Sequence, residues 1–305
     1  MGLKLKIIIN PSSGRETARV NIEDMLAYLA SQKKLERADI YYTAARYDAT
    51  NYAKNTNVDE YDYLIAVGGD GTVNEVVTGM QLGGVDIPLA IYTSGTVNDF
   101  ATINHLPSIP SDFARMLMNP EFKRVDCGKA GDSYFLNVLA GGLMTEVAYT
   151  VPSDLKTAFG PAAYWISALK DIPTINNTIP LRIVTDDGEY EADAIMFLIS
   201  NSKSVGGFRK LMTMADLSDG LLDILVVKKM DIGDIMPLLG KIVLGDHIHN
   251  DNVLYLQSKK FELYTTSDAK ITLDVDGEEG PVLPTTVECI KDAVNLIIPG
   301  KEDSL

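Results

Sequence analysis

Cysteine is scarce in this chain: Cys127 and Cys289 are the only two in 305 residues, far apart and without a CxxC. Such a pair excludes a disulfide framework and suggests a reducing compartment. No apolar run approaches the ~20 residues that a membrane-spanning helix needs. The opening Met1-Gly2-Leu3-Lys4-Leu5-Lys6 has no signal-peptide h-region, and Lys6 stands where a myristoylation signal needs Ser or Thr. Positive charge is also short. Lys and Arg number 27 against 42 Asp and Glu, a net charge of −15. That balance excludes the basic footprint of a nucleic-acid binder, and it excludes adhesion to anionic lipid by charge alone. The three histidines, His105, His247 and His249, are scattered and are assigned no role. No internal repeat or low-complexity tract occurs.

What the chain does have is a glycine-rich turn. Residues 63–67 form an apolar, β-type run that leads into Gly68-Gly69-Asp70-Gly71-Thr72-Val73-Asn74-Glu75 and on into a helical pattern. Glycines let a backbone approach a ligand closely, and a helix start offers N–H groups and positive dipole to phosphate. Asp70 would repel phosphate unless a metal, a metal-bound water or a ribose hydroxyl lay between them. The turn is no Walker A loop, and Asn74 occupies the third glycine position of a dinucleotide fingerprint. Taken alone it is a tight turn before an ordinary helix.

Five further motifs accompany it: Asn10-Pro11-Ser12-Ser13-Gly14, Gly95-Thr96-Val97-Asn98-Asp99-Phe100, Gly206-Gly207-Phe208-Arg209, Asp216-Leu217-Ser218-Asp219-Gly220-Leu221-Leu222-Asp223, and Asp274-Val275-Asp276-Gly277-Glu278. With these six in order, the chain resembles the diacylglycerol kinase catalytic family, in particular its soluble bacterial lipid kinases. That family also takes in sphingosine and ceramide kinases. The resemblance spans residues 7–299. Between Phe208 and Asp216 the family shows an Ala-Pro element, whereas this chain reads Lys210-Leu211-Met212-Thr213-Met214-Ala215, near the side expected to meet the acceptor.

The length suggests two domains. Residues 5–9, 40–42, 63–67 and 88–92 read as strands ending in polar, glycine-bearing loops, with helical stretches between them. One stretch has its buried stripe at Ile22, Met25, Leu26, Leu29 and Ala30; others cover 44–54 and 110–118. This alternation predicts a Rossmann-like parallel α/β domain over residues 1–128, and its glycine–Asp turn also resembles that of NAD kinases and phosphofructokinases. After a strand-like run at 124–128 that ends this domain, runs at 134–139, 181–185, 190–200, 221–228, 254–256, 260–264 and 271–275 predict a mostly antiparallel β-sandwich over 129–289. Asp186-Asp187-Gly188 marks a hairpin, and 232–244 reads as a helix despite Pro237. Gly141-Gly142-Leu143-Met144-Thr145 reads as a loop. Residues 159–169, with the lone Trp165, read as a helix that is either core or the cover of a lipid site. The stretch 290–305 is expected to return to the first domain.

The resemblance implies site residues. Asn10, Pro11, Ser12, Ser13, Gly14, Thr43, Gly68, Gly69, Asp70, Gly71, Thr72, Asn74, Glu75 and Thr96 would bind the nucleotide; Thr43 could equally cap a helix. Asp216, Asp219 and the carbonyl of Leu221 would hold a structural Mg²⁺, or simply form an Asp-Gly turn. Asp70, Asp99 and Asp126 would organise a catalytic Mg²⁺ and its waters, although Asp99 also suits a helix cap. Glu278 would be the general base, or else a surface turn residue. The implied activity is ATP- and Mg-dependent phosphorylation of diacylglycerol or a related lipid alcohol. The expected setting is the cytoplasm with transient contact at the inner face of the membrane, and a homodimer is allowed. Two alternatives stay open: a kinase of a soluble acceptor such as NAD or a sugar phosphate, and a nucleotide- or lipid-binding regulator without turnover.

Overall fold

Strand β1 (Leu3–Ile9) alternates between two cores, and the first sheet grows from it. Leu5, Ile7 and Ile9 face one side, where α1 (Thr17–Ser31) and α5 (Pro110–Met118) cover them. On the other side the Lys6 ammonium reaches the carbonyl of Tyr52 in α2 (Asp48–Lys54), 2.6 Å away. Helix α2 packs on α3 (Asp70–Gly83), and a side chain at Gly79 would come within 2.2 Å of the Thr50 carbonyl. Helices therefore lie on both faces of the sheet. Strands β2 (Leu35–Tyr42) and β3 (Tyr63–Gly68) flank β1 in parallel, and β4 (Leu89–Thr93) follows β3. The order β4-β3-β1-β2 is doubly wound, reversing direction between β1 and β3. The short α4 (Asp99–Ile103) precedes α5.

The computed structural model describes residues 2–13, 17–93, 99–142 and 178–300. The chain divides into two units, one ending at Val125 and resuming at Asp292, the other running Asp126–Lys291. The divisions fall inside β5 (Glu121–Ala130) and β15 (Thr285–Ile298).

The second unit is antiparallel, as the sequence predicts. It contains β6 (Ser133–Phe135), β7 (Val138–Gly142), β8 (Ile179–Thr185), β9 (Gly188–Ser200), β10 (Leu222–Lys228), β11 (Val253–Ser258), β12 (Lys260–Thr265), β13 (Thr272–Val275) and β14 (Glu278–Val282). Long β9 is the organiser. Its first half pairs with β8 across the Asp186-Asp187 turn, and its second half pairs with β7 and β10. Period-two alternation then makes two cores. Phe197, Ile199, Leu222, Ile224 and Val226 enter the sandwich interior, while Leu198, Leu225 and Val227 face α6 (Ile232–Leu244) and residues 205–215.

Several expectations are corrected. Helix α2 starts at Asp48 rather than 44, because the Asp48 carboxylate accepts the Ala44 and Ala45 N–H groups at 2.8 Å each and Tyr47 is left-handed. Strand β2 begins at Leu35 rather than 40: it is an edge strand, so its polar Glu36, Arg37 and Asp39 conceal it. Ala30 is exposed, and the stripe of α1 is Ala18, Ile22, Met25 and Leu29. Gly141 and Gly142 lie in β7 rather than a loop, since a side chain at 141 would strike the Phe197 ring at 2.3 Å. The helix expected at 159–169, with Trp165, lies outside the described residues, as do Leu143, Met144 and Thr145.

Candidate nucleotide and metal sites

In doubly wound sheets ligands bind outside the carboxyl ends of the strands, where the order reverses. The carboxyl ends of β1 and β3 meet that condition, and Asn10 and Gly68-Gly69-Asp70 stand there. Asn10 ties the two loops together. Its N–H donates to the Val67 carbonyl at 2.9 Å, and its side-chain amide donates to the Thr72 hydroxyl at 3.1 Å. Its side-chain oxygen accepts the Ser12 N–H and hydroxyl at 3.0 and 2.6 Å. Asn10 therefore shapes the loop, while Pro11 and Ser12 are its exposed members. Gly68 has to be glycine, because a Cβ there would lie 2.4 Å from the Thr72 hydroxyl oxygen. Asp70 is the first residue of α3 and complements the helix dipole. Gly71 follows it, and Thr72 and Asn74 are buried. The Glu75 carboxylate accepts the Tyr47 N–H at 3.1 Å, which fixes the entry to α2. Thr43 follows β2, its N–H bonded to the Ile9 carbonyl at 2.9 Å. Ser13 closes on the Asn10 carbonyl through its hydroxyl at 2.9 Å. Gly14 and Thr96 lie outside the described residues, and Asp99 opens α4.

The second unit gathers another set. Asp126 is fully buried, and its carboxylate accepts the Gly220 N–H at 2.7 Å while its own N–H reaches the Leu217 carbonyl at 2.7 Å. Asn201 donates to the Asp126 carbonyl at 2.8 Å. Asp126 thus joins the Asp216–Leu221 loop. In that loop the Asp216 carboxylate accepts from the Ser218 N–H and hydroxyl, and Asp219 accepts the Leu221 N–H at 2.9 Å. Partial burial, followed by the negative charge of Asp216 and Asp126, pushes the Asp219 carboxyl above its ordinary range. Four residues on, Asp223 is fully buried and its carboxyl is pushed up to about 6, chiefly by burial. It accepts the Tyr255 hydroxyl at 2.5 Å, and that hydroxyl also receives the Met214 N–H at 3.3 Å.

Glu278 follows β13, as the sequence places it, and is the first residue of β14, paired with Val275 across a two-residue Asp276-Gly277 turn. Both turn residues have positive φ, 50° and 90°, as a type I′ hairpin requires. Asp274 accepts the Gly277 N–H at 2.9 Å, and Asp276 accepts the Leu136 and Val138 N–H groups at 3.2 and 2.7 Å. An exposed Glu278 is thereby presented by a turn pinned from two sides.

Residues 4–130 match the model of the diacylglycerol kinase catalytic domain, and residues 138–298 match that of the YegS C-terminal NAD kinase beta sandwich-like domain. A diacylglycerol kinase of Staphylococcus epidermidis is 34% identical over 299 residues, covering 98% of this chain and 93% of the relative. The chain belongs to the diacylglycerol kinase family. A diacylglycerol kinase of Staphylococcus haemolyticus is 35% identical over 298 residues, covering 96% of this chain and 88% of that one. A crystal structure titled as a diacylglycerol kinase from Bacillus anthracis str. Sterne shares the fold with a TM-score of 0.79 at 27% identity, covering 98% of both chains. The protein is therefore a kinase, and lipid kinase activity is its general class.

In this kinase the Mg²⁺ that the family implies fits the Asp216–Leu221 loop. Two carboxylates and a main-chain carbonyl would offer hard, oxygen-only donors, and a cation would relieve the repulsion from Asp216 and Asp126 that adds to burial in lifting the Asp219 carboxyl. Among the described residues no three His, Cys, Asp or Glu side chains form a cage by themselves, so carbonyl and water oxygens would complete the shell. Reasoning from the sequence missed the kinase's supporting groups: Asp274, Asp276, Asp223, Tyr255 and Asn201. The Asp-Gly at 276–277 was a hairpin signal of the kind recognised at 187–188. Tyr255 and Asn201 carried no signal, since each acts through contacts distant in sequence.

Proposed function

We propose that the kinase transfers the γ-phosphoryl group of ATP to the hydroxyl of diacylglycerol, giving phosphatidate. The observation that carries this reading is the β3–α3 turn at the reversal of strand order, where Gly68 lets the strand end pack directly on Thr72 and α3 begins with its positive dipole end at the carboxyl ends of the strands. The lipid acceptor follows the names of the relatives. Ser12, Ser13 and the Gly69-Asp70-Gly71 backbone bind the triphosphate; Asn10, Thr72 and Glu75 keep those loops in place. Thr43 borders the same crevice. Asp70 and Asp99 are the carboxylates assigned to the phosphate side, while Asp126, assigned with them by the family resemblance, braces the Asp216–Leu221 loop through the Gly220 N–H.

Glu278 takes the proton from the acceptor hydroxyl as its oxygen bonds to the γ-phosphorus. The bond from that phosphorus to the bridging oxygen breaks, and ADP leaves with the electron pair. Asp216, Asp219 and the Leu221 carbonyl would hold Mg²⁺, which when bound would supply positive charge that organises the loop. The acceptor meets a membrane surface, so the kinase works there as a peripheral protein.

Incubating the purified kinase with labelled ATP and dispersed diacylglycerol should give labelled phosphatidate. Glu278→Ala should lower kcat by about 10²–10⁴-fold with ATP affinity retained. Normal turnover by the variant would remove Glu278 from its role. Transfer to NAD or to a sugar phosphate, with none to any lipid, would overturn the acceptor assignment.

A further inference from the structure

Five large apolar side chains in the described part of the second unit are exposed, Met214, Met236, Val243 and Leu244 by more than half and Tyr264 less so. Three of them sit on α6. The helix packs through Leu238 and Ile242, with Leu239 at the margin, against β10 and β11. At 100° per residue, the opposite side places Met236, Gly240, Val243, Leu244, Gly233 and Pro237 within an arc of about 120°. No charge falls inside that arc. Met236 and Val243 are each 55% exposed and Leu244 72%. Among the described residues, a Cβ built at Gly233 or Gly240 would meet no atom within 4 Å, so none of them covers the face at these two points.

A charge-free helix face whose Met236, Val243 and Leu244 are each more than half exposed offers a surface for apolar contact. The geometry points to a lipid bilayer as what covers it, with α6 lying in the plane of the headgroups. This assignment rests on the reading of the kinase as a lipid kinase. Thirteen residues make a helix of ~20 Å, too short for a ~30 Å hydrocarbon core but suited to the interface. Cations gather at its C-terminal end, where the exposure is greatest. Lys241 borders the arc, the stem of Lys210 packs at the Gly245 cap, and Arg209 and the 52% exposed Met214 belong to the same segment. Asp234 and Asp246 also stand at the margins. In a chain of net charge −15, with Lys228 and Lys229 the only other cations beside the helix in sequence, charge attraction to anionic headgroups is small and apolar insertion supplies the adhesion. A second copy fits less well. The face offers roughly 200 Å² by helix dimensions, against the ~800 Å² per partner of a stable interface.

The test is flotation of the full-length kinase with vesicles of phosphatidylcholine and a minority of phosphatidylglycerol, comparing wild type, Leu244→Glu and Gly240→Glu. Gly240→Glu adds a carboxylate where nothing obstructs it and improves helix propensity, so the fold is kept. Both variants should lose vesicle binding about tenfold or more. They should phosphorylate diacylglycerol in detergent micelles at the wild-type rate and diacylglycerol in vesicles more slowly. Unchanged vesicle binding by both variants would overturn the inference. So would a shift in gel-filtration size with vesicle binding intact, which would assign the face to self-association. Failure of the wild type to phosphorylate lipid in either form would instead sink the lipid-kinase reading, while flotation would still report on the face.

Discussion

At Gly68 a single hydrogen atom keeps two loops together. A methyl group there would lie 2.5 Å from the Thr72 Cβ, and Thr72 cannot retreat without releasing its bond from Asn10. Gly68→Ala should therefore destabilise the first unit by about 1–3 kcal/mol and weaken ATP binding at least about tenfold, measured by thermal unfolding and by titration with ATP. Asp223 gives a prediction with a definite pH sign. Burial lifts its carboxyl from 3.8 to about 6, so the folded state binds the proton more tightly than the unfolded chain. Its contribution to stability is complete below pH ~4, falls as pH rises towards ~6, and is absent above, an amplitude of about 3 kcal/mol. Asp223→Asn, which keeps an acceptor for the Tyr255 hydroxyl, should flatten that part of the stability profile in urea titrations at stepped pH. A variant profile parallel to wild type across this range would show that Asp223 does not carry the slope. Neither residue's constraint could be read in the sequence, because Gly68 depends on Thr72 and Asp223 on Tyr255, contacts that only folding makes.

Elements whose burial follows a clean period were legible, and those at edges were not. The apolar runs of β1, β3, β4 and β10 stand close to where their patterns put them, and α5 and α6 span the residues predicted. Strands β2 and β14 escaped because an edge strand or a pinned hairpin carries polar residues on its open side. The Asp216–Leu221 loop was legible as a motif, whereas its union with Asp126 was not: Asp126 lies 94 residues from Gly220. That union makes a prediction for the loop as a whole. The Asp219 carboxyl is raised by partial burial and by repulsion from Asp216 and Asp126, and bound Mg²⁺ would remove the repulsion. Millimolar Mg²⁺ should raise the unfolding temperature by mass action, with Ca²⁺ as the comparison ion. In Asp219→Asn the repulsion is relieved and a charged ligand is lost, so most of the Mg²⁺-dependent increment should vanish while stability without the ion is kept or improved. An increment of equal size in the variant would move the ion elsewhere.

Across the whole chain, the first unit is completed only by its last residues. Val294, Leu296 and Ile297 are fully buried; Ile297 joins the core under α1 and α5, and Leu296 pairs with Leu89 beside β4. Gln81 of α3 donates to the Ala293 carbonyl at 2.7 Å, so the helix that opens at Asp70 is also held by this segment. A chain stopped after Lys291 keeps the described residues of the second unit but lacks all of these. Burial of a large aliphatic side chain contributes about 1.5–3 kcal/mol, so three such losses approach the 5–15 kcal/mol typical of a whole domain. The truncated protein should lose ATP binding, and limited proteolysis should cut the first unit early while the second persists as a resistant fragment. Because the nucleotide loops sit at the carboxyl ends of β1 and β3, the same loss should appear in phosphotransfer to every acceptor alike. A truncated chain that bound ATP at wild-type strength would show that β1 to β4 and their helices suffice to hold the crevice.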